Sequence, residues 1–163
     1  MAHDKPLLRF GCGPRMVKPL VSSGVATSQI DILREKIAYN YGICNVIPFE
    51  TFHDVENCGY KLHFPYGKVF YATDLGTTSG LHAKNYDLIM LESNYVEEEL
   101  RARMDAKIAN GEFPYERRAM RYHLSRAQCD DFIYQNAGPN TEYVYLHQHI
   151  DREKNYESAD CEV

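Results

Sequence analysis

The 163 residues contain no tryptophan, no CxxC pair, no low-complexity tract and no internal repeat. They also lack an excess of positive charge, since 18 Lys plus Arg face 23 Asp plus Glu for a formal net charge of -5. Without a basic balance, general electrostatic capture of nucleic acid or of an anionic membrane is excluded. Phosphate contact is then left to a local patch such as Arg117, Arg118, Arg121 and Arg126, which reads first as a solvated helix face. The missing CxxC and the odd count of five cysteines (Cys12, Cys44, Cys58, Cys129 and Cys161) argue against a disulfide framework and for reduced thiols in a cytoplasmic protein. No apolar run approaches the roughly 20 residues that cross a bilayer, and MAHDKPLLRF lacks the apolar core of a secretory signal. With 44% hydrophobic and 25% charged residues, disorder is excluded and one domain, or slightly less, with a buried core is expected.

Periodicity then divides the chain. Met16 to Tyr41 reads as two weak helices, one interrupted at Pro19 and one over SQIDILREKIAY, capped by Ser28, with Ile30, Leu33 and Ile37 on one face. After Gly42 the pattern turns to β: CNVIPFET, CGYKLHF and KVFYATD, the last two a hairpin around ProTyrGly. DLIMLES, Asp87 to Ser93, is a continuous apolar run suited to a strand buried on both faces. Tyr95 to Asn110 predicts a helix with Val96, Leu100, Met104 and Ile108 at fourfold spacing, stopped by Asn110 and Gly111. Ser125 and Gln128 form a capping box at the head of another helix, to about Gln135, and EYVYLHQHI reads as a final strand. The polar tail after Arg152 is expected to fray. Strands alternating with helices make the chain α/β.

Four segments place a histidine or carboxylate at a strand or helix end: FHD (His53, Asp54), TDLG (Asp74), HLS (His123) and HQHID (His147, His149). Imidazole and carboxylate together suit Zn²⁺ and related divalent ions. Two histidines and one carboxylate can hold one metal, and the simpler alternative is polar groups hydrogen-bonded around a wet cavity. His123 reads as a helix-entry residue whose ring packs beside Ser125. His147 is weaker than His149 as a ligand, because its direction depends on strand parity.

In order, VIPFETFHDVENCGYKL, GKVFYATDLGTT, YDLIMLESNYVEEEL, RYHLSRAQCDDFI and VYLHQHIDREKN resemble the metallo-β-lactamase-fold hydrolases, nearest to a bacterial and phage, nuclease-like branch. The likeness spans about Cys44 to Asn155. It implies a partial αββα sandwich, mainly the C-terminal half, occupying residues 1–155 with a flexible tail over 156–163. It implies further that His53, Asp74 and His149 are metal ligands for one or two zinc ions, Asp74 bridging. His123 would donate a proton, with Glu92 supporting it, and Tyr95 stands where many relatives carry histidine. Asp151 replaces the family's serine after the last histidine.

The family signature HisxHisxAspHis is missing. Its expected place reads RFGCGPR, with Phe10 and Cys12 at the histidine positions, Pro14 at the aspartate and Arg15 at the last histidine. Only Cys12 among these offers a ligand atom, and it reads more simply as a small buried hydrophobe. Arg15 would set a cation beside the weakened site. The resemblance therefore implies a phosphodiester or nucleic-acid hydrolase with an impaired metal site. The alternatives are a non-catalytic binding or assembly protein, as a homo-oligomer covering the open half-fold, or a gene fragment.

Overall fold

The computed structural model describes residues 8–149. The expected tail over 156–163, Asp151 and Cys161 lie outside the described residues.

The apolar β segments assemble into one six-stranded sheet in the order β3 (Tyr39–Asn40), β4 (Asn45–Thr51), β5 (Asn57–Phe64), β6 (Gly67–Ala72), β7 (Leu88–Glu92), β8 (Glu142–Leu146). From β3 to β6 the neighbours are antiparallel, and β6, β7 and β8 run parallel. The expected hairpin is β5–β6, where Phe64 pairs with Gly67 across Pro65 and Tyr66. Parallel strands need crossovers, and here 73–87 and 93–141 supply them. The second crossover carries α2 (Glu97–Ala109), α3 (Glu116–Tyr122) and α4 (Arg126–Asn136).

Register divides the sheet into two unlike faces. Phe49, Phe70, Ala72, Ile89, Leu91 and Tyr145 point one way and meet Leu124, Cys129, Phe132 and Ile133 of α4 and its approach. The Phe49 and Phe70 rings stack at 5.0 Å, and Phe70 also meets Phe132 at 5.5 Å. This is the main hydrophobic core, and complete burial pushes the Cys129 thiol up to about 12, so that it acts as a small apolar group. The opposite face carries Tyr60, Leu62, Val69, Tyr71, Leu88, Met90, Val144 and Leu146. None of those eight is buried.

Two expectations fail in the N-terminal third and at the last strand. SQIDILREKIAY is not a helix. Thr27–Gln29 form a single 3₁₀ turn that includes Ser28, and Ile30–Ile32 is a strand, β2, paired in parallel with β1 (Phe10–Cys12). Three apolar residues across eight positions make a weak helical stripe, and β-branched Ile30 and Ile32 gain more from ladder hydrogen bonds with Phe10–Cys12. The other short helix exists as α1 (Val17–Ser22), with Pro19 in its first turn. EYVYLHQHI stops being a strand at Leu146, because His147 takes a left-handed φ of 51°. Neither His147 nor His149 therefore lies in the strand.

The two predicted helices of the long crossover form within a residue or two of their expected ends. At α4 the Ser125 side chain accepts from the Gln128 amide at 3.3 Å, while the Gln128 side chain accepts from the Ser125 amide at 2.9 Å. Replacing Ser125 with alanine is expected to lower the unfolding free energy by about 1 kcal/mol, read as a shift of the urea midpoint, since the cap satisfies a helix-end amide and Ser125 is fully buried.

Candidate metal centre

The C-terminal ends of β6, β7 and β8 bring four residues from distant parts of the chain together. Asp74 follows β6, Glu92 ends β7, His123 caps the C-terminal end of α3, and His147 follows β8. One potential ligand atom from each lies within 4.8 Å of the others. Carboxyl ends of parallel strands are where open α/β sheets present ligand-binding groups.

Each position has a local cause. Asp74 sits at φ 56°, a left-handed conformation that an aspartate adopts at a tight turn. Asn57 Nδ2 pins that turn by donating to the carbonyls of Thr73 and Asp74, both at 2.8 Å. The Leu75 amide donates to Glu92 Oε2 at 2.8 Å, so the turn is also tied to β7. Two residues on, Gly76 leaves no room for a side chain: a Cβ there would stand 2.3 Å from the Arg121 carbonyl oxygen and 3.1 Å from Tyr122 Cα. The glycine of ThrAspLeuGly thus lets α3 approach the turn and deliver His123. His147, the other left-handed site residue, is held by Asn94 Nδ2, which donates to its carbonyl at 3.0 Å.

Glu92 is the centre of the group. Its side chain has no solvent exposure. One oxygen accepts from Leu75, while the other stands 2.6 Å from His123 Nδ1 and 3.0 Å from His147 Nδ1. His147 Nδ1 is also 3.0 Å from Asp74 Oδ1, and His123 Nδ1 is 3.8 Å from it. Burial pushes the Glu92 carboxyl up to about 7, against the Leu75 hydrogen bond and the His147 charge that pull it down. Burial also lowers the His123 imidazole, a shift opposed by the charge of Asp74. Both partners of the 2.6 Å contact therefore favour their neutral forms, with one proton between them.

His53 flanks this group. Its ring lies 5.2 Å from that of His123, edge to face, and 5.8 Å from that of Tyr122. Nδ1 stands 2.9 Å from Asp54, which is clamped by Arg118 through Nε at 2.8 Å and through Nη2. The Arg118 guanidinium holds Asp54 below the usual carboxylate range. His53 Nε2 is buried without a hydrogen-bond partner. A lone imidazole nitrogen on a ring packed against His123, itself one of four converging oxygen- and nitrogen-bearing side chains, suits a divalent cation, which takes His and Asp ligands together. On that observation the residues present fit a metal ion.

The structure thus brings Asp74, Glu92 and His123 together as neighbours, sets His53 beside them, and directs His149 elsewhere. The His149 amide donates to the Asn94 carbonyl at 2.9 Å, and its side chain lines a separate hollow of about 200 Å³ with Tyr95, Arg103 and Arg126. His147 takes the place in the group. Strand parity in the sequence ranks His149 above His147, and the left-handed turn at His147 ends the strand on which that parity is counted. Cys12 and Arg15 also lie away from the group, in a cavity of about 840 Å³ with Cys58, Glu56 and Tyr60, where Arg15 pairs with Glu56 at 2.8 Å. The arginine patch is split: Arg118 serves Asp54, Arg126 pairs with Asp130 and covers the Tyr145 ring at 3.8 Å, and Arg121 lies over Tyr122. The Arg118–Asp54 link joins residues 64 apart, and no sequence signal announces it.

No protein-family model matches the chain, and no curated protein sequence does. Among solved structures it is similar to the metallo-β-lactamase-fold protein YhfI from Bacillus subtilis, at 12% identity and TM-score 0.60, over 91% of this chain and 55% of that one. It is also similar to a diphosphatase from the PhnP family, at 15% identity and TM-score 0.53, over 90% of this chain and 50% of the other. A third is Zn²⁺-bound PqqB from Methylobacterium extorquens, at 10% identity and TM-score 0.54, over 85% and 53%. The likeness shows the fold: a mixed α/β arrangement of metallo-β-lactamase type, of which this chain forms a part. The chain spans about half the length of these structures.

Two outcomes follow. In chelator-treated protein the raised Glu92 carboxyl contributes stability that is complete below about pH 4.5 and is lost as the pH rises through about 7. Urea midpoints between pH 5 and 8 are expected to fall more steeply for the wild type than for Glu92→Gln, and equal slopes contradict this. Gly76→Ala is expected to cost about 1–3 kcal/mol through overpacking against α3, measured in the same titration.

Proposed function

We propose that the chain carries a metal-dependent hydrolase site of the phosphodiester-cleaving kind, reduced to a single divalent ion. The observation that carries this reading is the convergence of Asp74, Glu92, His123 and His147 beside the orphaned His53 Nε2. Asp74, His147 and His53 would hold the ion, zinc or a similar divalent metal. Such an ion supplies Lewis-acid polarisation and a bound water acidified towards neutrality.

The remaining work belongs to side chains of this chain. Glu92, through the 2.6 Å contact, fixes the His123 ring by Nδ1. The Nε2 of His123 is then the atom that gives a proton to a leaving oxygen, and the shared proton between Nδ1 and Glu92 adjusts the charge of the ring as it does so. The dry setting of Glu92 strengthens that coupling, because little solvent screens it. The phosphodiester preference is supported by the diphosphatase among the structural neighbours.

The reduction to one ion rests on the replaced signature. Phe10, Pro14 and Arg15 bring no ligand atoms, and Arg15 is paired with Glu56. The same replacement favours a second reading, a non-catalytic binding or assembly protein that keeps the fold and has lost the chemistry.

Metal analysis with a chelator-sensitive assay separates the two. Purified protein is expected to hold near one zinc or manganese per chain and to cleave a bis-aryl phosphodiester. Asp74→Ala and His147→Ala are expected to lose the metal, while His149→Ala keeps it. His123→Ala is expected to keep the metal but lose about 100-fold in turnover. Wild-type protein without bound metal and without chelator-sensitive hydrolysis would establish the non-catalytic reading.

A further inference from the structure

Among the described residues only one nitrogen of His53 has hydrogen-bond partners, and two of them compete for it. The Asp54 carboxylate, an acceptor, stands 2.9 Å from Nδ1 through Oδ1, while the Val55 amide, a donor, points at the same nitrogen from 3.5 Å. These neighbours ask for opposite tautomers. A carboxylate is satisfied when Nδ1 carries the proton, and an amide when Nδ1 carries the lone pair. Distance and charge decide for Asp54: 2.9 Å is a full hydrogen bond to an ionised acceptor, whereas 3.5 Å is the outer limit of a bond from a neutral donor.

The carboxylate is kept ionised and aimed by a third residue. Arg118, on α3, donates to Asp54 Oδ2 through Nε at 2.8 Å and through Nη2, which leaves Oδ1 for the imidazole. Each oxygen of Asp54 thus serves one partner. The guanidinium also holds the Asp54 carboxyl below its usual range, so it stays an acceptor at neutral pH. On the far side of the ring, Nε2 is enclosed and meets no hydrogen bond from a described residue, and the side chain is 10% exposed. In the tautomer that Asp54 selects, this nitrogen holds a bare lone pair, the form in which an imidazole takes a metal ion. The other tautomer would bury an N–H there with no acceptor.

We infer that Asp54 and Arg118 are positioning residues that fix His53 as its Nδ1–H tautomer and so keep the Nε2 lone pair open to an ion. Asp54 is the direct partner. Arg118 acts through it, and since its own side chain is 69% exposed, water screens its pull and its share is the smaller. Helix α3 thereby reaches the site at both ends, by Arg118 on Asp54 and by His123 on Glu92. The tautomer assignment stands without the hydrolase reading, and only its effect on a bound ion rests on that reading.

Nitrogen-15 NMR of the histidine rings tests it in chelator-treated protein near about pH 8, where a free imidazole is neutral, with His53→Gln identifying the His53 signals. Wild type is expected to show a protonated Nδ1 and a bare Nε2. Asp54→Ala, which leaves Nδ1 only the Val55 amide, is expected to reverse that pattern. Arg118→Ala is expected to give a mixture of the two, and Arg118→Lys to restore the wild-type pattern. A merely structural role for either residue would move the urea midpoint and leave the tautomer as it is. Zinc titration is expected to find affinity lower by about 10–100-fold in Asp54→Ala. Three results each overturn the inference: a protonated Nε2 in wild type, a bare Nε2 kept in Asp54→Ala, or measurable zinc binding that Asp54→Ala leaves unchanged. A wild type with the expected tautomer that takes up no zinc upholds the tautomer assignment and overturns the metal reading alone.

Discussion

A carboxylate with no exposure to solvent sets the terms for the rest of this protein. Removing Glu92 from water costs several kcal/mol unless its oxygens are satisfied, and the fold satisfies them with the Leu75 amide on one side and two imidazoles on the other. Each contact ties a different part of the chain to the end of β7. Leu75 fixes the Asp74 turn after β6, His123 fixes the junction of α3 and α4, and His147 fixes the chain as it leaves β8. The three attachments explain why the turns that carry Asp74 and His147 tolerate left-handed backbone: the surrounding structure over-determines them.

The tightness of this arrangement shows in what it excludes. Gly76 touches backbone of α3 with no space for a methyl group, and the His53 ring is lodged against His123 and Tyr122. The main core does the complementary work on the other side of the sheet, where Phe70, Ile89, Leu91 and Phe132 hold α4 in place and so hold the capped junction at Ser125 from which His123 is presented. Core and candidate site are therefore two faces of the same strand ends.

Much of this was legible in the sequence because it depends on local rules. Alternation marked the β5–β6 hairpin, a continuous apolar run marked the central strand β7, and the Ser125–Gln128 box marked the head of α4. Asp74 and His123 could be singled out because a carboxylate and an imidazole stand at element ends, whereas Glu92 entered only through the family resemblance. What escaped depended on tertiary geometry. Ile30–Ile32 became a strand only because Phe10–Cys12 offered it a parallel partner. The choice between His147 and His149 turns on one left-handed residue, and a single φ leaves no periodic trace. The clamp of Arg118 on Asp54 spans 64 positions without any repeating pattern.

The parallel pairing of β6, β7 and β8 has a consequence in time as well as in space. Because their connections run through 73–87 and 93–141, the four grouped side chains come from positions 74, 92, 123 and 147, and no two of them are near neighbours along the chain. Such non-local pairings repay the entropy of loop closure only when they are nearly complete, so they form late on the folding route. The group of four is complete only when β8 docks beside β7 and brings His147 to the other three. The complete site is thus a readout of finished folding, because its fourth residue arrives with β8.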